Sequence, residues 1–349
     1  MNRKTGKALK KAVITIAVLI AAIVVSLGGF CIYHQSRLKK EYSTINHIAG
    51  QYVEVDGHNM NVYVEGEGEK TLVFLSGFGT PSPVLDFKPL YSRLSDRYRI
   101  VVIEKFGYGY SDEYPGDRSV ETIVDQNRQA LEELNIEGPY ILTAHSAGGI
   151  EAIWWAVHYP DEVEAIIGID SNIPSQYENY RSPVDLEEQE PQDIDECISS
   201  MALNDFFMYK IGLFRLMMPP SLLPGLSSEE LSEAEREQYS ALAYTMYCQG
   251  SGATFQRESI MTEHSLECLR DYVNTPLPDI PTLFFVSDGS VMEQIMEPEI
   301  WKKIHEDYIE EITNGVIIYL ECGHYIHVEE PDVVAENMIG FIDSLGGGQ

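Results

Sequence analysis

Two polar residues stand out by their surroundings. Ser146 ends an apolar stretch, LTAHSAGG at residues 142–149, and small side chains flank it; His324 follows a glycine in ECGHYIHVEEP, residues 321–331. Residues 140–144 read as a strand and 147 onward as a helix, so Ser146 falls on a strand-to-helix turn. Such a turn is tight and strained, and it presents the hydroxyl at the end of a sheet beside a helix N-terminus. A hydroxyl in that place is a candidate nucleophile, and His324 is the candidate base that would take its proton. The plainer alternative for Ser146 is a helix cap. His324 and His327 also form an H-x-x-H pair, but no third metal ligand stands at a clear spacing, and His327 reads as support for the loop.

Attack on a carbonyl builds negative charge on its oxygen, which backbone donors must meet. One donor is the amide of Ala147, just after the nucleophile. The other is expected from the glycine-rich turn SGFG, residues 76–79, where the amide of Phe78 is the candidate; the alternative is an ordinary turn. Neither a phosphate-binding G-x-x-x-x-G-K-[ST] nor a helical H-E-x-x-H occurs, so no cofactor and no metal is expected.

The elements that must position these groups follow from periodicity. YVEVDG and MNVYVEGEG alternate and end in turns, as a hairpin does; TLVFLSG, YRIVVIEKFG, PYILTAHS, VEAIIGID, PTLFFVSDG and VIIYLECGH are short, β-branched and continuously apolar, as strands buried on both faces are. Helical patterns separate them near residues 83–95, 119–134, 147–158, 298–313 and 331–345, with prolines at 83, 298 and 331 where a helix can open. This alternation predicts a doubly wound, mostly parallel eight-stranded α/β sheet. Between residues 171 and 278 no buried strand appears. Two helix-like segments, SMALNDFFMYKIGLFRLMM and SSEELSEAEREQYSALAYTMY, predict a helical cap, the second opening with a capping box on Ser227 and Glu230. The acidic run at residues 186–196 reads as a solvated loop.

The N-terminal forty residues differ. Arg3, Lys4, Lys7, Lys10 and Lys11 precede an uncharged apolar run, residues 12–33, of 22 residues, enough at about 1.5 Å per residue to cross a bilayer core of roughly 30 Å. Arg37, Lys39 and Lys40 follow. The expected organisation is a basic cytoplasmic tail (1–11), a transmembrane helix (12–33), a polar juxtamembrane linker (34–50), a core in two parts (51–170 and 279–345) and the cap (171–278). The larger basic excess before the span places the bulk domain outside a cell membrane crossed once; a cleaved signal peptide is the alternative. Beyond residue 40, 55 acidic residues face 16 basic ones. Such a domain repels nucleic acid, which excludes that partner class. Five cysteines show no metal or redox spacing; four of them, Cys197, Cys248, Cys268 and Cys322, either pair outside the cell or serve as small apolar residues.

The set TLVFLSGFG, EKFGYGYSD, LTAHSAGG, PTLFFVSDG and GHYIHVEEP resembles the α/β-hydrolase superfamily across nearly the whole domain, residues 51–345. The resemblance implies a serine hydrolase with a helical cap that forms an acyl-enzyme on a small ester or related acyl substrate. Three residues depart from the usual pattern: Ser76 replaces histidine in the oxyanion loop, Glu104 replaces aspartate, and Ala144 replaces the first glycine of G-x-S-x-G. A serine at the elbow sets the chain apart from members with a carboxylate nucleophile. The triad acid has two candidates. A minority of relatives carry it at the end of the sixth strand, where Asp170 stands; most carry it after the seventh, where Asp288 lies two residues early and Ser290 occupies the expected register. The other readings are a noncatalytic binding module of the same fold and an aminopeptidase of the proline-iminopeptidase type.

Overall fold

The eight runs pair into one sheet. The computed structural model describes residues 3–179, 199–250, 252–258, 278–288 and 296–346. Strands β1 (Gln51–Val55), β2 (His58–Glu65), β3 (Thr71–Leu75), β4 (Arg99–Glu104), β5 (Tyr140–His145), β6 (Val163–Ile169), β7 (Thr282–Ser287) and β8 (Gly315–Leu320) lie in the order β1-β2-β4-β3-β5-β6-β7-β8. β1 and β2 form the hairpin, β2 runs antiparallel to β4, and every later pairing is parallel. β3, β5 and β7 are buried at every residue, because helices cover both faces, whereas edge strand β1 alternates exposed and buried positions. Two apolar clusters, one per face, hold the layers together: Val73, Leu142, Trp155 and Phe284 in one, Leu72, Phe74, Ile167 and Phe285 in the other.

Helix α1 (Arg3–Thr44) precedes the sheet; α2 (Pro83–Asp86), α3 (Lys88–Tyr91), α4 (Val120–Glu133), α5 (Gly148–His158), α6 (Glu233–Tyr247), α7 (Pro298–Glu310) and α8 (Pro331–Leu345) follow. Ser119 caps α4 through the Thr122 amide. The single helix expected near 83–95 is broken into α2 and α3, since Pro89 has no N–H to continue the ladder. The capping box sits on Ser232 and Glu235, not on Ser227 and Glu230. Ser227 instead closes the turn Pro224–Ser227, which Arg236 pins by donating to the Leu226 carbonyl (2.5 Å) and to that of Ser228.

The first cap segment is also two pieces. Its backbone turns left-handed at Gly212 (φ 93°), where a Cβ would lie 2.2 Å from the His34 ring. That close approach exists because α1 does not end with the apolar run. One stretch among the described residues, Lys10–Thr44, is long and apolar enough to cross a membrane, and its last turns pack on the cap. Residues 34–44, expected as part of a polar linker, are thus helical and docked. His34 and Glu41 are buried, His34 donates to the Tyr209 carbonyl (2.9 Å), and Arg215 forks onto both Glu41 oxygens (2.8 and 2.6 Å). Cys31, Cys248 and Cys322 are free thiols; Cys197, Cys268, Ser290 and the acidic run at 186–196 lie outside the described residues.

Gly212→Ala forces a side chain into left-handed backbone and onto His34. Denaturant unfolding of the full chain should show a loss of at least about 1–2 kcal/mol; an unchanged midpoint would mean that the α1–cap contact yields freely.

Candidate active site

Ser146 sits at the carboxyl end of β5 with φ 51°, the left-handed backbone of a sharp turn. Its neighbours explain the small residues around it. A Cβ on Gly77 would meet the Ser146 Cβ at 2.8 Å, and one on Gly148 would meet the Leu75 carbonyl oxygen at 2.5 Å. Ala144, in the place of the usual first glycine, is fully buried within β5, where its single methyl is accommodated. The Ser146 carbonyl accepts from the amides of Gly149 (2.9 Å) and Asn172 (2.8 Å), which ties the elbow to α5 and to the segment after β6.

Asp170 follows β6 directly, also with positive φ (43°), and is completely buried. Four donors converge on its carboxylate: the Ser287 amide (2.9 Å) and Trp301 Nε1 (3.0 Å) on Oδ1, the Ser287 hydroxyl (2.8 Å) and His324 Nδ1 (2.7 Å) on Oδ2. Burial alone would raise this carboxyl, but the hydrogen bond and charge of His324, with the Ser287 and Trp301 donors, outweigh it and hold the group below the ordinary aspartate range. Asp288 is exposed at the end of β7, and its amide donates to the Leu320 carbonyl (3.1 Å). The structure therefore brings Asp170, not Asp288, to His324. Ser287, the last residue of β7, turns inward as a donor to Asp170.

The two histidines of H-x-x-H face different carboxylates. His327 donates through Nε2 to Asp86 Oδ2 (3.0 Å), and the other oxygen of that carboxylate, Oδ1, accepts from Tyr239 of the cap (3.0 Å). Between the two rings lies His145, 4.6 Å from each by ring centroids; its Nε2 donates to the His324 carbonyl (3.1 Å), fastening the elbow to the histidine loop.

The turn at residues 76–79 is clamped at one residue from two sides. The Gly79 amide donates to the Tyr108 hydroxyl (3.1 Å), and its carbonyl accepts from the Tyr247 hydroxyl on α6 (2.6 Å). Tyr108 in turn donates to Glu258 (3.0 Å), which pairs with Lys105 (2.7 Å) and Arg118 (3.2 Å), all buried. Neither the Phe78 amide nor the Ala147 amide has an acceptor among the described residues, so both are available to a ligand oxygen. Glu104, in the place of aspartate, is a buried hub: it accepts from the Tyr110 amide (2.7 Å), Asn61 (3.0 Å), Ser82 (3.1 Å) and the Val84 amide (3.3 Å), joining the sheet to the segment that follows the turn. Ser287, Trp301, Asp86, Tyr108 and Tyr247 are the positioning residues that motif spacing did not single out. Tyr247 lies in a cap segment whose aromatic residues carry no periodic signal for a hydrogen bond to a distant loop.

A separate cleft of about 630 Å³, lined by Asp125, Arg128, Tyr159 and Glu162, lies at the amino ends of β5 and β6. Ligands of open α/β sheets bind at the carboxyl ends, the end at which Ser146 follows β5 and Asp170 follows β6.

Comparison with known proteins gives the same picture. A family model described as the alpha/beta hydrolase fold matches residues 70–200. The uncharacterized protein YbdG of Bacillus subtilis (strain 168) is 32% identical over 347 residues, spanning 96% of this chain and 97% of that protein. The 2-(acetamidomethylene)succinate hydrolase of Mesorhizobium japonicum is 31% identical over 99 residues, 28% of this chain and 34% of that protein. Among solved structures, a membrane phospholipase A that is a bacterial virulence factor superposes with a TM-score of 0.56 at 17% identity, over 97% of this chain and 99% of its own.

His145 supplies a test of this packing. Burial first, then the neighbouring rings of His327 and His324, hold its pKa well below the usual value, and its Nδ1 has no partner among the described residues. The folded ring stays neutral while the unfolded ring titrates near about 6.5. The associated stability is therefore complete above about pH 6.5 and is lost as pH falls, by up to about 1.4 kcal/mol per pH unit. Urea unfolding of His145→Asn between pH 7 and 5 should show a shallower loss than wild type; equal slopes would contradict a buried neutral ring.

Proposed function

The chain belongs to the alpha/beta hydrolase family, and from that premise we propose that it is a membrane-anchored serine hydrolase that cleaves an ester or related acyl substrate through an acyl-enzyme on Ser146. The observation that carries this reading is the 2.7 Å contact between His324 Nδ1 and the buried Asp170 carboxylate, at the same end of the sheet as the Ser146 elbow.

In this mechanism His324 Nε2 takes the proton of Ser146 Oγ as the oxygen bonds to the acyl carbon. Asp170 fixes the Nδ1–H tautomer and stabilises the imidazolium that forms; it does not take the proton. The charge on the carbonyl oxygen meets the amides of Phe78 and Ala147, each worth on the order of 3 kcal/mol in such a role. The tetrahedral adduct collapses, His324 returns the proton to the departing alcohol, and the acyl group stays on Ser146. Water then attacks with His324 again as base, releasing the acid and restoring the serine. The noncatalytic reading rested on the want of a placed acid, and Asp170 supplies a candidate.

The apolar N-terminal helix supports a single-pass anchor, and the basic residues at 3, 4, 7, 10 and 11 favour a cytoplasmic tail with the hydrolase domain on the far side of the cell membrane.

A fluorophosphonate probe is expected to label the full chain at Ser146 and not to label Ser146→Ala; labelling that survives the substitution would place the nucleophile elsewhere. With p-nitrophenyl esters, Asp170→Asn should lower kcat by roughly a thousandfold or more and leave KM little changed. Asp288→Asn should stay close to wild type, and the reverse ranking would move the acid to the seventh strand.

A further inference from the structure

The cap carries an apolar face that no part of the described chain covers. Leu203 is 71% exposed, Phe206 52%, Leu216 64% and Met217 66%, within fifteen residues of sequence. Scattered apolar side chains are ordinary, but a cluster of this kind marks a contact surface. Its position says with what. Between the two halves of the cluster, residues 209–212 touch α1 where its apolar run ends: the Lys210 carbonyl accepts from Cys31 (3.4 Å) and Gln35 (2.8 Å), the Tyr209 carbonyl accepts from His34, and Gly212 abuts the His34 ring. Leu203 and Phe206 precede that contact in the chain, and Leu216 and Met217 follow it directly. An interfacial apolar face penetrates roughly 5–10 Å into the boundary between headgroups and acyl chains. The cap segment that bears these side chains is thus held against α1 at the end of its apolar run, where that helix would leave a bilayer.

A second feature leads inward from that surface. Aromatic rings follow one another from the α1 contact to the elbow: Tyr209 to Phe214 (6.0 Å between centroids), Phe214 to Tyr247 (5.2 Å), Tyr247 to Phe255 (5.9 Å) and Phe255 to Phe78 (6.0 Å). The row begins at the residue whose carbonyl holds His34 and ends at Phe78, next to the Gly77 that abuts Ser146.

Resting on the anchored-hydrolase reading, we propose that the Leu203, Phe206, Leu216 and Met217 face lies in the headgroup layer of the membrane that α1 spans, and that the substrate is a membrane-resident lipid ester whose acyl chain reaches Ser146 along the aromatic row. The occupant is the lipid surface itself, because the face continues the apolar surface of α1. The strongly acidic domain favours zwitterionic over anionic lipid.

The test uses the full chain reconstituted in phosphatidylcholine vesicles. In Leu216→Trp, the added emission should be quenched by about half or more when brominated phosphatidylcholine replaces the ordinary lipid, as expected for a side chain within an interfacial depth of 5–10 Å. An unquenched tryptophan overturns the docking, whether the face is bare or covered by a second copy. In a second variant carrying Leu203→Ser, Phe206→Ser, Leu216→Ser and Met217→Ser, p-nitrophenyl butyrate turnover should stay within about twofold, while hydrolysis of vesicle-borne long-chain phosphatidylcholine falls about tenfold or more, a selective loss of one substrate's productive binding. Equal losses on both esters, or none on either, overturn the substrate assignment. Failure of the hydrolase reading looks different: wild type then turns over neither ester, and quenching still reports the docking.

Discussion

A carboxylate buried at the end of β6 is the constraint on which the candidate site depends. An isolated charge at Asp170 would be prohibitive to bury. Ionisation is sustained because four donors surround it, two from Ser287, one from Trp301 and one from His324. Three of these donors come from β7 and α7, elements separate from the His324 loop. The fourth places the proton of a neutral His324 on Nδ1, since the Asp170 carboxylate accepts there. β6 and β7 must be in register for Ser287 to reach Asp170, and their parallel pairing, Ile169 opposite Phe285, supplies it.

The same economy applies to the rest of the site. Ser146 is held in left-handed backbone by two amides on its carbonyl, and His145 links the elbow to the His324 loop. Gly79 is gripped through its N–H by one tyrosine of the core and through its carbonyl by one of the cap, so the candidate oxyanion loop and the cap share a boundary. Cap and apolar N-terminal helix share another through Glu41 and Arg215. An unbroken chain of contacts therefore runs from the apolar span to the loop beside the nucleophile.

Much of this was legible in the residues. Strand periodicity located all eight strands, and small residues around Ser146 marked the elbow, because both depend on local patterns. The breaks were less legible. Pro89 splits a helix that its neighbours favour, and Gly212 turns the cap segment because α1 needs the space, a reason written some 180 residues away. The two candidate acids were ambiguous for a related cause: Asp170 and Asp288 each lie at a strand end, and only the folded chain shows that the first is buried against His324 and the second exposed. Residues 34–44 look like a polar linker because charged and aromatic side chains are interspersed there, yet Glu41 is paired by Arg215 from the cap, a partner that composition does not reveal.

The central claim is that Ser146, His324 and Asp170 act as one unit with the Phe78 and Ala147 amides. A crystal structure of the full chain after reaction with a fluorophosphonate tests it most directly. The account predicts phosphorus bonded to Ser146 Oγ, the phosphoryl oxygen about 2.7–3.1 Å from both amides, and His324 still hydrogen-bonded to Asp170. Phosphorus on another residue, a phosphoryl oxygen turned away from those amides, or His324 paired with Asp288 would contradict it.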